Sequence, residues 1–327
     1  MTLLSVRNLS IAYEIEGRYY EAVRDVSFDL DEGHSLALVG ESGSGKSTVA
    51  LSLLGLLPRN ARITSGEAIF SDRDILKSSP SEIRALRWKE ISMIFQGSMN
   101  ALDPIFKVGT QMVELLRFHK RGTSKEDALR TSKEYLEKVG LSPSVLRLYP
   151  HELSGGMKQR VVISLALLLN SKLLLADEPT TALDVTTQAE IVALLLKLRE
   201  EQKMSMIFIT HDLSLAPQVC DEIAVLYGGT SMERGDINKV VTEPKNPYTK
   251  ALIASVLTLD RSQARAIPGD PPHLRSMPSG CPFNTRCVDM FQRCTLEFPR
   301  EYSVGNNRVR CLLYEDQSQS LTPVNEV

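Results

Sequence analysis

The sequence lacks any hydrophobic run long enough to cross a membrane. Its longest central apolar stretch, residues 161–169, falls far short of the ~20 residues that a membrane-spanning helix needs. The first residues, Met1 to Arg7, show no basic leader followed by an apolar core, so no signal peptide is expected. These absences predict a cytosolic chain that can work at a membrane only by docking onto another protein.

The sequence also lacks a dominant charge. Its 38 Lys and Arg residues nearly balance 40 Asp and Glu residues, giving a net charge of −2. Because no run of basic residues dominates any segment, a nucleic-acid-binding surface is not expected. No internal repeat is present, and 327 residues suffice for one large domain plus an appendage.

The stretch Gly40–Thr48 fits the phosphate-binding pattern G-x-x-x-x-G-K-[ST]. Residues 35–39 before it read as a buried strand, and Val49 to Leu57 after it read as a helix stopped by Pro58. Glycines let backbone N–H groups point at a phosphate, and the helix adds its positive end. Lys46 is expected to neutralise the outer phosphates. The other loop residues expected to bind ATP are Gly40, Ser42, Gly43, Ser44, Gly45, Ser47 and Thr48.

The remaining pattern indicates an α/β fold. Short alternating runs between residues 3 and 30 predict antiparallel strands, and residues 66–70 predict one more. Two continuous apolar runs, at 173–176 and 206–209, are typical of strands in a parallel sheet covered on both faces. Residues 103–149, which separate the strand signals, are rich in helix formers, so a helical subdomain inserted into the α/β core is expected.

Several polar residues follow these strand signals. Asp177 and Glu178 end the apolar run 173–176, where an aspartate can hold Mg²⁺ and a glutamate can polarise an attacking water. An acidic turn after any buried strand is an equal alternative. His211 follows the next strand, and Gln96 follows Ile94 and Phe95; taken alone, neither residue identifies a function.

The segment Leu153-Ser154-Gly155-Gly156-Met157-Lys158-Gln159-Arg160 resembles the signature of the ATP-binding-cassette (ABC) family. The other motifs then follow in that family's order, from about Leu3 to Val241. The resemblance implies a P-loop NTPase that hydrolyses ATP with Mg²⁺. Its fold is expected to be an ABC cassette, with a RecA-like α/β core, an antiparallel β subdomain and an inserted α-helical subdomain.

The resemblance also implies roles for individual residues. Glu178 acts in hydrolysis, His211 is the switch histidine, and Gln96 reaches Mg²⁺ and the nucleophilic water. Tyr13 stacks on adenine, although a strand tyrosine packed on the core is a close alternative. The Mg²⁺ ligands implied are Ser47, Gln96 and Asp177.

The signature has a physical rationale. Its two glycines leave backbone N–H groups bare at a helix start, which makes a second anion-binding tip. In the ABC family this tip faces the γ-phosphate held by the opposite subunit, so two nucleotides are sandwiched between two cassettes. The loop at residues 181–184 crosses to the partner. The residues expected to face the partner's nucleotide are Ser154, Gly155, Gly156 and Gln159.

Four of the five cysteines lie in a Pro-rich tail, with the spacing C-x5-C-x6-C-x16-C. Disulfides are not expected in a cytosolic chain, so metal ligation is predicted, by a structural zinc or an iron–sulfur cluster. The paired C-x2-C spacing common in zinc sites is absent. The predicted ligands are Cys281, Cys287, Cys294 and Cys311.

The tail adds a second resemblance. Residues 246–252, 267–269 and 280–287 look like the C-terminal extension of oligopeptide and dipeptide importer ATPases. Some members of that family carry a 4Fe–4S cluster on such cysteines, and the wide spacing suits a bulky cubane. A 4Fe–4S cluster is therefore expected rather than zinc.

The two resemblances together imply the ATP-hydrolysing subunit of a binding-protein-dependent importer of oligopeptides or dipeptides. Its expected partners are a second, different ATPase subunit, two transmembrane permease subunits and an extracytoplasmic substrate-binding protein, and no nucleic acid. It is expected to work at the cytoplasmic face of the membrane. The alternatives are the same role for an oligosaccharide or nickel cargo, and a cassette protein acting on DNA or ribosomes.

The expected domain organisation follows the two resemblances. Residues 1–242 form the ATP-binding domain, with the helical subdomain inserted at about 97–165. Residues 243–327 form a small Cys- and Pro-rich C-terminal extension.

Overall fold

A computed structural model of the chain describes residues 1–256 and 267–317. The strands are β1 (Thr2–Ile15), β2 (Arg18–Asp31), β3 (Ser35–Val39), β4 (Ala61–Phe70), β5 (Arg73–Asp74), β6 (Ile91–Ile94), β7 (Leu173–Asp177), β8 (Ser205–Thr210), β9 (Glu222–Tyr227), β10 (Thr230–Asp236), β11 (Glu301–Val304) and β12 (Asn307–Arg310).

The α-helices of the same described ranges are α1 (Lys46–Leu53), α2 (Pro80–Leu86), α3 (Val108–His119), α4 (Lys125–Lys138), α5 (Gly155–Leu167), α6 (Val185–Gln202), α7 (Ala216–Val219), α8 (Ile237–Thr242) and α9 (Pro247–Val256). Short 3-10 helices lie at Ser98–Asn100, Pro143–Arg147, Pro150–Glu152, Leu274–Ser276, Gln292–Thr295 and Leu312–Gln317.

The chain divides into two compact units. The first, here called the phosphate-loop unit, contains residues 2–30, 35–77 and the described part of the chain from 209 onward. The second, here called the helical unit, contains Met1 and residues 31–34 and 78–208. The predicted domain boundary after Thr242 falls between α8 and α9, and residues 257–266 and 318–327 of the predicted extension lie outside the described residues.

The phosphate-loop unit contains an antiparallel sheet of four strands in the order β2-β1-β4-β5. In its register Leu4 lies opposite Phe70, and Tyr13 lies opposite Ala61. The prediction of antiparallel strands at the start of the chain is confirmed. However, β4 begins at Ala61, five residues before the predicted strand. The first half of β4 carries few apolar residues and is largely exposed, so the apolar pattern of the sequence did not indicate it.

A second group of strands in this unit runs in the order β11-β12-β10-β9-β3. Strands β3 and β9 are parallel, with Val39 opposite Val225, whereas β10 is antiparallel to β9. All five residues of β3 are buried. This buried strand carries the chain directly into the glycine-rich loop and α1.

Helix α1 differs from the predicted helix at both ends. It begins at Lys46, directly after Gly45, rather than at Val49. It ends at Leu53 rather than Leu57, because Gly55 adopts a left-handed φ of 58° that interrupts the helical backbone. The glycine at position 55, rather than Pro58, therefore ends the helix.

The helical unit contains β6, β7 and β8 as neighbouring strands, with β6 and β7 parallel and Ile94 opposite Ala176. Helices α3, α4 and α5 come between β6 and β7 in the chain, so the prediction of helices inserted into an α/β core is confirmed. Helix α4 is capped by the Ser124 hydroxyl, which accepts the Asp127 N–H at 3.0 Å. No helix in residues 1–256 and 267–317 is both long and apolar enough to cross a membrane.

Candidate nucleotide-binding and hydrolysis site

The phosphate loop connects β3 to α1 in the phosphate-loop unit. Gly40 and Gly45 have no room for a side chain: a Cβ on Gly40 would lie 2.0 Å from the Leu226 carbonyl oxygen, and one on Gly45 would lie 2.7 Å from that of Ala22. Gly45 also has a left-handed φ of 94°. The two glycines are therefore required for the close approach of the loop to its neighbours.

The ammonium group of Lys46 lies inside this loop and is buried. Its Nζ donates to the carbonyl oxygens of Gly40 at 2.8 Å and Glu41 at 2.9 Å, and to Ser44 Oγ at 3.2 Å. A cation held inside a curled backbone, at the N-terminus of α1, is an arrangement that suits a bound polyphosphate. The residues present thus fit the nucleotide that the motif implies.

Tyr13 lies close to the far end of the loop. Its hydroxyl is 3.3 Å from Thr48 Oγ1, and its side chain is half-buried on β1. The contact places an aromatic ring near the first turn of α1, although the predicted stacking of Tyr13 on adenine stays a prediction.

The helical unit brings together two of the predicted catalytic residues. Gln96, two residues after β6, donates from Nε2 to Glu178 Oε2 at 2.8 Å. The Thr181 hydroxyl donates to the same oxygen at 2.9 Å. Glu178 itself has a left-handed φ of 46°, a conformation that costs energy for a residue with a side chain. The carboxylate is therefore held in one orientation by donors from two separate segments.

Asp177 is the last residue of β7, and it is only 3% exposed. Carboxylate, hydroxyl and amide oxygens are ligands that Mg²⁺ accepts, usually with only one or two carboxylates beside the phosphates. The chemistry of Asp177, Ser47 and Gln96 therefore suits Mg²⁺, and their joint ligation of one ion stays a prediction. His211 follows β8 in the phosphate-loop unit and is exposed.

The signature segment forms the start of α5 in the helical unit. The Ser154 hydroxyl caps the helix by accepting the Met157 N–H at 3.3 Å. Ser154 and Gly155 are exposed, whereas a Cβ on Gly156 would lie 3.0 Å from Thr187 Cγ2. An exposed, glycine-rich helix start is a suitable surface for an anion brought by another molecule.

Gln159 differs from the rest of the predicted signature surface. Its side chain is 2% exposed and donates from Nε2 to the Pro179 carbonyl oxygen at 2.6 Å. This hydrogen bond ties α5 to the segment that follows Glu178. This burial favours a structural role for Gln159 and not the predicted contact with a partner's nucleotide.

The structure also reveals contacts of the loop that the sequence did not indicate. Glu41, within the phosphate loop, pairs with Arg286 at 2.6 Å although 245 residues separate the two along the chain. The Glu41 N–H donates to the Tyr248 hydroxyl at 3.1 Å. Both partners lie in segments that resemble the importer extension, but no sequence pattern pairs them with the loop.

Two family profiles match the chain: "ABC transporter" over residues 23–181, and "Oligopeptide/dipeptide transporter, C-terminal region" over residues 232–294. The oligopeptide transport ATP-binding protein OppD of Salmonella typhimurium is 44% identical over 311 residues, which cover 94% of this chain and 92% of that protein. The dipeptide transport ATP-binding protein DppD of Bacillus subtilis is 42% identical over 323 residues, covering 97% and 96%.

Solved structures give the same class. The dimeric post-hydrolysis state of an ATP-binding cassette bound to ADP and Pi matches with a TM-score of 0.64 and 30% identity, over 72% of this chain and 98% of that one. The fold is thus that of an ABC-type ATPase, as the motifs predicted. The chain belongs to the family of oligopeptide and dipeptide transport ATP-binding proteins.

The prediction of a metal centre in the tail is wrong. Within residues 1–256 and 267–317, no group of three or more His, Cys, Asp or Glu side chains could hold a metal ion. The similar proteins are described only as transport ATP-binding proteins. The four residues predicted to bind a 4Fe–4S cluster or zinc are free cysteines: Cys281, Cys287, Cys294 and Cys311.

The four tail cysteines lie around one small cavity. They line a cavity of about 20 Å³, which is about the size needed for one water molecule. Burial raises the pKa of Cys281 to about 12 and that of Cys311 to about 11. Metal ligation requires thiolates. In the absence of a metal, burial favours the protonated thiol at Cys281, Cys287 and Cys311, and a buried or half-buried thiol of this kind packs as a small apolar side chain.

Proposed function

We propose that this chain is the ATP-hydrolysing subunit of an importer of oligopeptides or dipeptides. The observation that carries the proposal is the combination, in one chain, of an intact phosphate loop, an oriented Glu178 carboxylate and a C-terminal region of the oligopeptide/dipeptide transporter type. The first two supply the chemistry of ATP hydrolysis, and the third supports the peptide cargo.

The loop Gly40–Thr48 binds the phosphates of ATP, and Lys46 balances their charge. Tyr13 contacts the adenine. Mg²⁺, when bound, neutralises charge that develops on the phosphates. Its ligands from the chain are Ser47, Gln96 and Asp177.

Glu178 accepts a proton from, or polarises, the attacking water. Its orientation by Gln96 and Thr181 supports this role, because a general base must be held within hydrogen-bond reach of the water. His211 contacts the γ-phosphate side of the nucleotide as the switch residue. The exposed position of His211 directly after β8 supports this role.

A second ATPase subunit, a different chain of the same type, completes each site. Ser154, Gly155 and Gly156 meet the nucleotide of that partner. The exposure of Ser154 and Gly155 at the start of α5 supports this arrangement. Closure on ATP and opening after hydrolysis then transmit work to the attached subunits.

Two transmembrane permease subunits bind the helical segment between Gln96 and Tyr149, and a substrate-binding protein outside the membrane delivers the cargo. Exposed apolar side chains support this docking surface: Ile105 is 72% exposed and Phe118 is 74% exposed. Through these contacts the chain works at the cytoplasmic face of the membrane. The ATP-binding domain comprises residues 1–242, with the helical subdomain at about 97–165, and the extension comprises residues 243–327.

Uptake by whole cells tests this function. A strain that lacks the chain is complemented with the wild type, with Lys46→Ala or with Lys197→Ala, which removes an exposed lysine from α6 as a matched control. Uptake of a labelled tripeptide is expected to return with the wild type and Lys197→Ala, and to stay absent with Lys46→Ala. Labelled nickel and an oligosaccharide are measured in parallel. Restoration of either of those cargoes without the peptide would replace the proposed cargo, and no effect on any uptake would contradict a transport role.

A further inference from the structure

The second residue of the phosphate loop is held at two points by the C-terminal part of the chain. The Glu41 N–H donates to the hydroxyl of Tyr248, on α9, at 3.1 Å. The Glu41 carboxylate receives both arms of the Arg286 guanidinium, with Nη1–Oε2 at 2.6 Å and Nη2–Oε1 at 3.1 Å. Such bidentate, charge-assisted pairs are strong and fix geometry.

Arg286 is itself fixed in place. Its side chain is 4% exposed, and it donates to the carbonyl oxygens of Pro268 at 2.8 Å and Ile267 at 3.3 Å, and to the Tyr227 hydroxyl at 3.1 Å. Because every guanidinium nitrogen donates to a partner, the direction in which Arg286 meets Glu41 is set by its own surroundings. A buried cation of this kind is costly unless a carboxylate compensates it.

An aromatic cluster supports both contacts. Tyr227 of β9, Tyr248 of α9 and Phe283 lie with ring centroids 4.5 Å, 5.1 Å and 5.2 Å apart. Tyr227 and Tyr248 are fully buried, and Phe283 is 3% exposed. The hydroxyl and guanidinium that contact Glu41 are therefore presented by a packed core rather than by mobile surface side chains.

The charge of Glu41 makes the pair relevant to nucleotide binding. A carboxylate in a loop that cradles phosphates repels them unless a cation neutralises it. The Glu41 carbonyl oxygen also accepts from Lys46 Nζ at 2.9 Å, so a shift of Glu41 moves a partner of the phosphate-binding lysine. Arg286 thus controls both the charge and the position of this part of the loop.

We propose that Arg286 is a positioning residue through which the C-terminal region sets the ATP affinity of the phosphate loop, by holding and neutralising Glu41. The inference rests on the proposed binding of ATP by Gly40–Thr48. It assigns to the C-terminal region a direct effect on the nucleotide site of its own chain. ATP affinity therefore depends on a residue far outside the sequence motifs of the cassette.

Binding of a fluorescent ATP analogue with Mg²⁺ to the full-length chain tests the proposal. Arg286→Met is expected to raise the Kd about tenfold, within the range of typical couplings between sites. Glu41→Gln in the same background is expected to recover most of the lost affinity, because no uncompensated carboxylate remains. Arg286→Lys is expected to lie between the two, since lysine keeps the charge but not the bidentate geometry.

Arg234→Met is the matched control. Arg234 makes an equally bidentate pair with Glu301, at 3.1 Å and 3.0 Å, within the same unit. The Arg234–Glu301 pair does not involve the phosphate loop. Loss of the Arg234 guanidinium is therefore expected to lower thermal stability while leaving the Kd for the ATP analogue unchanged. The midpoint of thermal unfolding is measured for every variant.

An unchanged Kd in Arg286→Met, or a double variant no better than the single one, would overturn the proposal. If Arg286→Met does not fold, the Kd of Arg286→Lys is compared with that of Arg286→Lys/Glu41→Gln, and the same two results would overturn the proposal. Failure of the proposed function itself gives a different result: the wild type and Lys46→Ala would both fail to bind the analogue.

Discussion

The side chains of Gln96 and Glu178 are joined by a hydrogen bond of 2.8 Å although 82 residues separate them in the chain. One follows β6 and the other follows β7, and these two strands are parallel neighbours. Their carboxyl ends therefore reach the same edge of the sheet, which is where open α/β sheets bind ligands. The link joins the residue proposed to polarise water to the segment that leads into the proposed docking surface.

The glycines of the phosphate loop give a test of local geometry. Gly45→Ala places a Cβ 2.7 Å from the Ala22 carbonyl oxygen, whereas the space around Gly43 is open, and both residues have left-handed φ angles. We expect Gly43→Ala to cost about 1 kcal/mol of stability from backbone strain alone. Gly45→Ala should cost clearly more and abolish ATP binding, as measured by thermal unfolding and nucleotide titration. Equal effects would show that the close approach at Gly45 is unimportant.

The two nucleotide-facing surfaces should separate by mutation. Ser154→Arg adds a bulky side chain to the exposed start of α5 but leaves the phosphate loop untouched. We expect ATP to bind this variant with wild-type affinity, while ATP-dependent dimerisation and hydrolysis are lost. Titration with a fluorescent nucleotide and analytical ultracentrifugation measure the two properties. Loss of nucleotide binding to the isolated chain would contradict the assignment of Ser154 to a partner's site.

A substitution on the proposed permease-docking surface, between Gln96 and Tyr149, is expected to uncouple peptide uptake from ATP hydrolysis. Ile105→Asp introduces a charge at a 72% exposed apolar residue, and Leu296→Asp does so at a 70% exposed residue in the C-terminal region. Only Ile105→Asp is expected to reduce peptide uptake, because burying an unpaired carboxylate against a partner is costly. The ATPase rate of the chain together with its partner ATPase subunit, measured without the permeases, should not change in either variant. Normal uptake with Ile105→Asp would place the permease contact elsewhere.

The thiols of Cys281 and Cys311 are expected to react slowly in the folded protein. Thiolates are the reactive form, and burial raises the pKa of Cys281 to about 12 from an ordinary value of 9.0. Since the folded pKa is the higher one, the stability that the neutral thiol contributes is present below pH 9 and is lost as the pH rises toward 12. Alkylation at pH 8 should be slow natively and complete in denaturant, with five thiols per chain. Bound iron or zinc in stoichiometric amount would contradict the free-thiol assignment.

Local motifs allowed more of the site to be predicted than of the tail. The phosphate loop was predictable because strand, loop and helix are contiguous, so neighbouring residues determine the geometry of Lys46. The C-terminal end of α1 was not predictable, because the left-handed backbone of Gly55 ends the helix before Pro58 is reached. The spacing of the tail cysteines suggested a metal site. This prediction failed because the spacing of cysteines in a sequence carries no information on their burial. The pairing of Glu41 with Arg286 depends on tertiary packing across 245 residues, and nothing in either local sequence indicates it.

Glu178→Gln tests the central claim most directly, that this chain hydrolyses ATP by means of an oriented carboxylate. The substitution keeps the shape of the side chain but removes the base, so ATP hydrolysis should fall by a factor of ~10² or more while ATP binding remains. Glu200→Gln, an exposed position on α6, serves as the control and should hydrolyse ATP normally. The measurement is the ATPase rate together with sedimentation, in which Glu178→Gln with ATP should form a stable dimer with its partner subunit. Hydrolysis by Glu178→Gln at the wild-type rate would contradict the account.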